Sequence, residues 1–326
     1  MKQALSRRML VSSIALAAAT LLAPVAQAQT SKSVAVTAIV DHPALDAVRK
    51  GVEDELKAQG WVAGKNLKYQ YQSAQGNSAT AGQIARKFIG DKADVIVAIA
   101  TPSAQAAVVA TSSVPVVFTA VTDPVAAKLV KDAKPSGTNV TGVSDRLTLA
   151  PQIDLMQKIV PGAKRIGMVY SPGEVNSTII VKELKEALAQ RGMSLHEAAA
   201  PRTVDIPSAA KSLIGKIDLM YTTTDNNVVS AYESMARLAA DAKLPLVASD
   251  TGSVARGAIA ALCMKYYDMG RQTGKIVVRI LKGEKPGAIA FEVGRNTTLE
   301  INAKAAREQG VTLSPALLKE RKVVVP

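Results

Sequence analysis

The chain has 326 residues, 48% hydrophobic, 21% charged and 3% aromatic, enough for two ordinary domains with sizeable cores; a disordered chain and a small disulfide scaffold are excluded. Forty Lys+Arg against 27 Asp+Glu give a formal charge of +13, a balance that on its own fits a nucleic-acid binder. The single Cys263 excludes an intramolecular disulfide and a cysteine-rich zinc site, and His42 and His196 lie far apart, so neither metal nor cofactor is expected.

Residues 1–28 read as a cleavable export signal. Lys2, Arg7 and Arg8 precede a mostly apolar stretch over 9–23, and Ala26-Gln27-Ala28 supplies the small-x-small cleavage pattern. The stretch is shorter than the roughly 20 residues a membrane span needs. Ser6-Arg7-Arg8-Met9-Leu10 partly fits a twin-arginine signal, while paired basic residues also occur in Sec signals, so both routes stay open. No cysteine follows for lipid attachment, and the expected location is the periplasm. Loss of the three basic residues leaves a charge of about +10. An exported protein meets no genome, so nucleic acid is not an expected partner, and the remaining charge reads as a solvated surface.

From residue 33 short β-branched runs alternate with helical stretches. Strands are expected at 33–40, 67–72, 95–98 and 116–119, and helices at 44–59, 79–89 and 103–111. The plan then repeats, with strands at 165–170 and 194–199 and helices at 176–191 and 206–213. Ala93-Asp94-Val95-Ile96-Val97 is echoed by Ile217-Asp218-Leu219-Met220-Tyr221, and Val114-Pro115-Val116-Val117 by Leu244-Pro245-Leu246-Val247. A helix at 267–281, strands at 290–293 and 298–301 and a last helix near 303–309 follow; that last helix suggests a return to the first lobe. Cys263, within an apolar run, reads as a buried small hydrophobe.

Short apolar strands alternating with helices define an α/β class with parallel sheets covered on both faces. The expected architecture is two Rossmann-like, three-layer lobes joined by a hinge: residues 29–145 plus about 268–290, and 146–267 plus about 291–326. In such sheets ligands bind beyond the carboxyl ends of the strands. Those ends are polar here. In the first lobe they carry Asp41, His42, Thr101, Ser103, Ala104, Thr119, Thr122 and Asp123; in the second, Glu174, Asn176, Ser177, Asp225, Asn226, Asp250 and Thr251. Each of these could equally serve as a helix cap. Their convergence on one cleft favours a site. Free N–H groups at Ser103-Ala104 suit a ligand carboxylate, and Asp225 and Asp250 an ammonium group.

The sequence lacks G-x-S-x-G, H-E-x-x-H and G-x-G-x-x-G, so no catalytic residue is assigned and the chain is not expected to be an enzyme. G-x-x-x-G-K at 270–275 is one residue short of a P-loop and falls inside a helix.

The stretches Val40-Asp41-His42-Pro43-Ala44-Leu45-Asp46, Ala98-Ile99-Ala100-Thr101-Pro102-Ser103-Ala104-Gln105 and Thr119-Ala120-Val121-Thr122-Asp123-Pro124 resemble the ABC transporter substrate-binding proteins of the tryptophan/tyrosine type. So do Asn139-Val140-Thr141-Gly142-Val143-Ser144-Asp145, Thr224-Asp225-Asn226, Ser249-Asp250-Thr251 and Tyr266-Tyr267-Asp268-Met269-Gly270-Arg271-Gln272. The resemblance spans nearly the whole chain after the signal. It implies a type I periplasmic binding fold with three crossovers, the strand-end loops as ligand loops, and Ser144, Asp145 and Tyr267 near the crossovers. It also implies capture of a small molecule for an inner-membrane ABC permease with its ATPase, the expected ligand being an amino acid, with the aromatic ones among the candidates. A monomer that closes its lobes on the ligand is expected. The alternative is a periplasmic sensor presenting the same ligand to a membrane receptor; an exported hydrolase or lyase and a LacI-like repressor are disfavoured by the missing motifs, the export signal and the absent helix-turn-helix.

Overall fold

The computed structural model describes residues 31–320 and 323–325, so the expected export signal lies outside the described residues. The first sheet is built from β1 (Lys32–Ala38), β2 (Leu67–Ser73), β3 (Val95–Ile99), β4 (Val116–Val121) and β5 (Val140–Ser144). Between them run α1 (Pro43–Ala58), α2 (Ser78–Gly90) and α3 (Thr101–Ala110). Strand β3 is Val-Ile-Val-Ala-Ile with every residue buried, the pattern of a strand covered on both faces.

The second sheet holds β6 (Arg165–Tyr170), β7 (Ser194–Ala199), β8 (Leu219–Thr222), β9 (Leu246–Ala248) and β10 (Ala260–Met264). Its helices are α4 (Leu149–Ile159), α5 (Val175–Ala189), α6 (Ile206–Leu213), α7 (Asn226–Ser230) and α8 (Tyr232–Asp241). The chain goes on through α9 (Tyr266–Leu281), β11 (Glu292–Val293), β12 (Thr297–Asn302), α10 (Ala303–Glu308), α11 (Pro315–Glu320) and β13 (Val323–Val325).

Strand order is β11-β5-β4-β3-β1-β2 in the first sheet and β13-β12-β10-β9-β8-β6-β7 in the second. All the pairings are parallel except β10 with β12, which departs from the all-parallel expectation. The two-lobed α/β architecture is as expected. Three short segments carry the chain between the sheets: 145–148, residue 265 and 294–296.

Several elements escaped the sequence reading: β5, α4, the α7–α8 pair, β10, α11 and β13. The return to the first lobe is made by α9, whose Met269, Ile276 and Val277 join the core of the first sheet. The last helices do not return. Ala306 of α10 and Leu317 of α11 pack into the core of the second sheet.

What holds α9 against the first sheet is glycine. A Cβ on Gly270 would collide with the Val48 carbonyl of α1 and lie 2.9 Å from Gly51 Cα. A Cβ on Gly274 would lie 2.5 Å from Glu55 Cβ. The G-x-x-x-G of the false P-loop is thus a helix-packing surface that lets two backbones approach closely, and Arg271 Nε reaches the buried Glu55 at 2.7 Å beside it. Gly270→Val should destabilise the protein by about 3 kcal/mol through overpacking. Thermal unfolding checks this, with Gly173→Ala as a neutral control because nothing lies within 4 Å of that added methyl.

Candidate functional site

The carboxyl ends of the strands of both sheets meet around a narrow slot. It is lined by His42, Ala44 and Leu45 after β1, Ala100 and Thr101 after β3, Ala120 and Thr122 at the end of β4, and Asp145 after β5. Asn176 follows β6, Thr224, Asn226 and Val229 follow β8, Asp250 follows β9 and Tyr266 follows β10. The empty space between these walls, open mouth included, is about 320 Å³, of which only about 10 Å³ admits a water-sized sphere, so the slot is nearly shut in this structure.

Three wall oxygens are buried and have no hydrogen-bond partner among the described residues: Thr101 Oγ1, Asp145 Oδ1 and Asn176 Oδ1. Asp145 is held by Tyr266, whose hydroxyl donates to Oδ2 at 2.8 Å. Burial pushes the Asp145 carboxyl up, an effect that Tyr266 and Thr122 oppose and the charge of Asp250 reinforces. Asp250 is likewise raised by burial; its oxygens accept from Ser253 N at 2.9 Å and Ser253 Oγ at 2.6 Å. Among the described residues no lysine or arginine lines the slot, and the charge of Arg256 acts on Asp250 from outside the lining.

His42 caps α1, with Leu45 N donating to its Nδ1 at 3.4 Å. Burial, and then the charge of Arg256, lower its pKa to about 4, so it is neutral near pH 7. Across the lobes Thr122 Oγ1 and Thr224 Oγ1 lie 3.3 Å apart in a hydrogen bond. Two wall residues have positive φ, Ala100 at 74° and Ala120 at 53°. That conformation costs a residue with a Cβ on the order of 1–3 kcal/mol, and such strain gathers at ligand clamps.

Of the residues expected from sequence, His42, Thr101, Thr122, Asp145, Asn176, Asn226 and Asp250 reach the slot. Glu174 stands behind it: its Oε2 accepts from Asn176 Nδ2 at 2.9 Å, Asn226 N at 3.1 Å and Asn226 Nδ2 at 2.8 Å. It therefore orients two wall amides. Ser103 is buried with its Oγ unpartnered but does not line the slot.

The others have structural work. Asp225 accepts from Ser171 N at 2.6 Å, Ser171 Oγ at 2.9 Å, Ser177 Oγ at 2.6 Å and Val228 N at 3.0 Å. Its lone pairs are engaged and it lies outside the slot, so the ammonium role expected of it does not fit; Asp145 is the carboxylate with a free oxygen. Ser177 is likewise turned to Asp225. The amide of Ala104 donates to Ala100 O at 3.0 Å, because the helix begins at Thr101 rather than 103, so it is not free for a ligand.

Asp123 caps Val125 and Ala126 and pairs with Arg146. Asp41 accepts from Tyr71 and from Gln75 outside the slot. Thr119 accepts from Thr273 Oγ1 at 2.8 Å, and Ser144 Oγ donates to Thr122 O at 3.1 Å. Thr251 opens the short turn that Asp250 caps. Tyr267 is 37% exposed on the flank of α9, where its hydroxyl donates to Asp54.

Sequence reasoning missed Thr224 and Tyr266 as site residues. Both lay inside stretches already singled out, beside a neighbour chosen instead. Ala100 and Ala120 gave no signal, since positive φ is not written in an alanine.

The fold and site define a two-lobed solute-binding protein of the type I periplasmic binding class, a binding protein rather than an enzyme. Residues 33–325 match the family model described as ABC transporter substrate binding protein, and the chain belongs to that family. It is 38% identical over 271 residues to a tyrosine-binding protein of Clostridioides difficile (strain R20291), covering 83% of this chain and 79% of that protein. A Streptococcus pneumoniae ABC domain in complex with L-Trp is 33% identical, with a TM-score of 0.87 over 91% of this chain and all of that one. A ligand-free, open substrate-binding protein with adhesive properties from Clostridium difficile is 37% identical, with a TM-score of 0.69 over 90% of this chain and 99% of that one.

Glu174 links the site to pH. Burial, and then the charge of Asp225, push its carboxyl from an ordinary 4.5 to about 7. The folded state therefore keeps a proton that the unfolded chain releases between those values, and the stabilisation is complete below about pH 4.5 and lost as pH rises through about 7. Glu174→Gln should be more heat-stable than wild type at pH 8, with the advantage shrinking toward pH 5, in thermal unfolding at the two pH values.

Proposed function

We propose that the protein is the periplasmic substrate-binding component of an ABC importer, exported by its N-terminal signal and active as a monomer. It holds a small zwitterion, an aromatic amino acid, between its lobes and presents the closed form to the permease and its ATPase. The observation that carries this reading is the free, buried Asp145 Oδ1 in a slot with two carboxylates and, among the described residues, no lysine or arginine in its walls. An ammonium group supplies the missing charge and donors, and Asn176 Oδ1 accepts from it. The N-terminus of α3, with Thr101 in its first turn, suits the ligand carboxylate.

The two solved relatives support a clamping mechanism. Their identities to this chain are similar, yet the L-Trp complex superposes far better than the open, ligand-free protein. That difference supports a lobe arrangement nearer the ligand-holding one, as expected if ligand contacts from both sides favour closure. The family description points to transport, and nothing favours the sensor alternative.

Native mass spectrometry and calorimetry with L-tryptophan and L-tyrosine test the reading. Ligand at a hundredfold excess over Kd should stabilise the protein by about 2.7 kcal/mol, while sugars leave the melting temperature unchanged. Asp145→Ala should weaken binding at least about 30-fold, as expected when one member of a buried charge pair is removed. Wild-type affinity should fall on acidification, since a raised Asp145 must ionise to hold the ammonium. Equal affinity in wild type and Asp145→Ala would count against the reading.

A further inference from the structure

His42 is one of two histidines in the chain, and it stands where the lobes meet. It is 7% exposed, just ahead of α1 in the first lobe. Its Nδ1 accepts from Leu45 N, so the neutral ring carries its proton on Nε2. The Asn226 side chain of the second lobe stands within hydrogen-bonding reach of that ring. Asn226 Nδ2 and N both donate to Glu174 Oε2, at 2.8 and 3.1 Å, which leaves Oδ1 to accept from the ring. A chain of partners thus runs from Glu174 through Asn226 to His42 and on to the first turn of α1, crossing from one lobe to the other.

This arrangement has no place for a second proton on the ring. The proton would go onto Nδ1, set donor against donor at Leu45 N and remove the cap of α1. The surrounding charges do not compensate. Arg256 of the second lobe donates through Nη1 to the carbonyl of Val229, another wall residue, at 2.7 Å, and its charge opposes an imidazolium. Its own partner, Glu233, is turned to solvent. Asp41 favours the cation but is engaged by Tyr71 and Gln75, and on α1 Asp46 pairs with Arg49. Asp145 and Asp250 share the slot wall, held by Tyr266 and Ser253, and burial favours their neutral forms.

We propose that His42 is a proton-sensitive latch: it joins the lobes only as the neutral ring, so that closing on ligand expels a proton from it and acidification opens the lobes. The inference rests on the reading that the slot closes on a ligand. When the lobes part, Asn226 and Arg256 leave with the second lobe and water reaches the ring, which returns toward the ordinary histidine value of about 6.5. In the closed form burial, and then the charge of Arg256, hold it at about 4. The closed form thus has the lower value, so the support that neutral His42 gives to closure is full above about pH 6.5 and is lost as pH falls toward about 4. Between pH 8 and pH 5 those two values weaken ligand binding about 30-fold.

Nuclear magnetic resonance of the two imidazoles in the full-length mature protein tests this, with His196→Gln to assign them and whichever of L-tryptophan and L-tyrosine binds at pH 8 as the probe. Without ligand His42 should titrate near pH 6.5; with saturating ligand it should stay neutral down to about pH 5. Calorimetric Kd values at pH 8 and pH 5 give the second readout. His42→Asn keeps a capping side chain that does not titrate, so it should lose at least about tenfold less affinity than wild type over that range, the remaining loss belonging to Asp145. A His42 ring that titrates alike with and without ligand, or a His42→Asn protein as sensitive to pH as wild type, overturns the proposal. Failure of the underlying reading looks different: neither amino acid binds wild type at pH 8, and the latch falls with it.

Discussion

Everything in this molecule that bears on function turns on one requirement: polar groups buried where two sheet edges meet need partners. For three carboxylates of the second lobe the requirement is met by the protein itself. Asp225 gathers four donors from three elements of the second lobe, Asp250 is capped by Ser253, and Glu174 fixes the amides of Asn176 and Asn226. These groups are therefore oriented by the protein's own hydrogen bonds. Between the lobes it is not met, because Thr101 Oγ1, Asp145 Oδ1 and Asn176 Oδ1 face the slot unpartnered. Each unmade bond opposes closure by about 1–3 kcal/mol, whereas the neutral Thr122–Thr224 hydrogen bond returns only about 1. On the proposed reading, closure depends on a molecule that brings the missing donors and charge.

The hinge follows from how the chain is threaded. Helix α9 packs through Gly270 and Gly274 against α1, which brings the chain back to the first lobe after the second sheet is nearly complete. Three short connections result, and none is long enough to let the lobes wander. Arg146 in the first of them pairs with Asp123 of the first lobe and with Glu183 of α5 at 2.6 Å, so one guanidinium spans the pivot. Asp123, which looked from sequence like a ligand residue, belongs to this pivot.

The α/β plan was legible because period and composition carry it. Strands such as Val95–Ile99 are continuous apolar runs, and helices such as Tyr266–Leu281 end at a glycine. Strand β5 was missed because Gly142 interrupts its short β-branched run; the glycine is there because a Cβ would run into Phe118 of β4. The location of the site was legible too, since strand ends announce it. The roles within it were not. Asp145, Asp225 and Asp250 are all aspartates just beyond strands, and what separates cap from ligand group is the set of donors around each. For Asp225 three of the four donors come from Ser171 and Ser177, some fifty positions earlier in the chain, and no local pattern shows them.

The central claim is that ligand contacts across the slot close the lobes, and small-angle X-ray scattering of the ligand-stripped protein with and without saturating L-tryptophan or L-tyrosine tests it most directly. The account predicts a larger radius of gyration without ligand and, on addition, contraction to a profile that matches the structure described here. A stripped protein that already scatters as the closed form, and does not change when the amino acid binds, would contradict it.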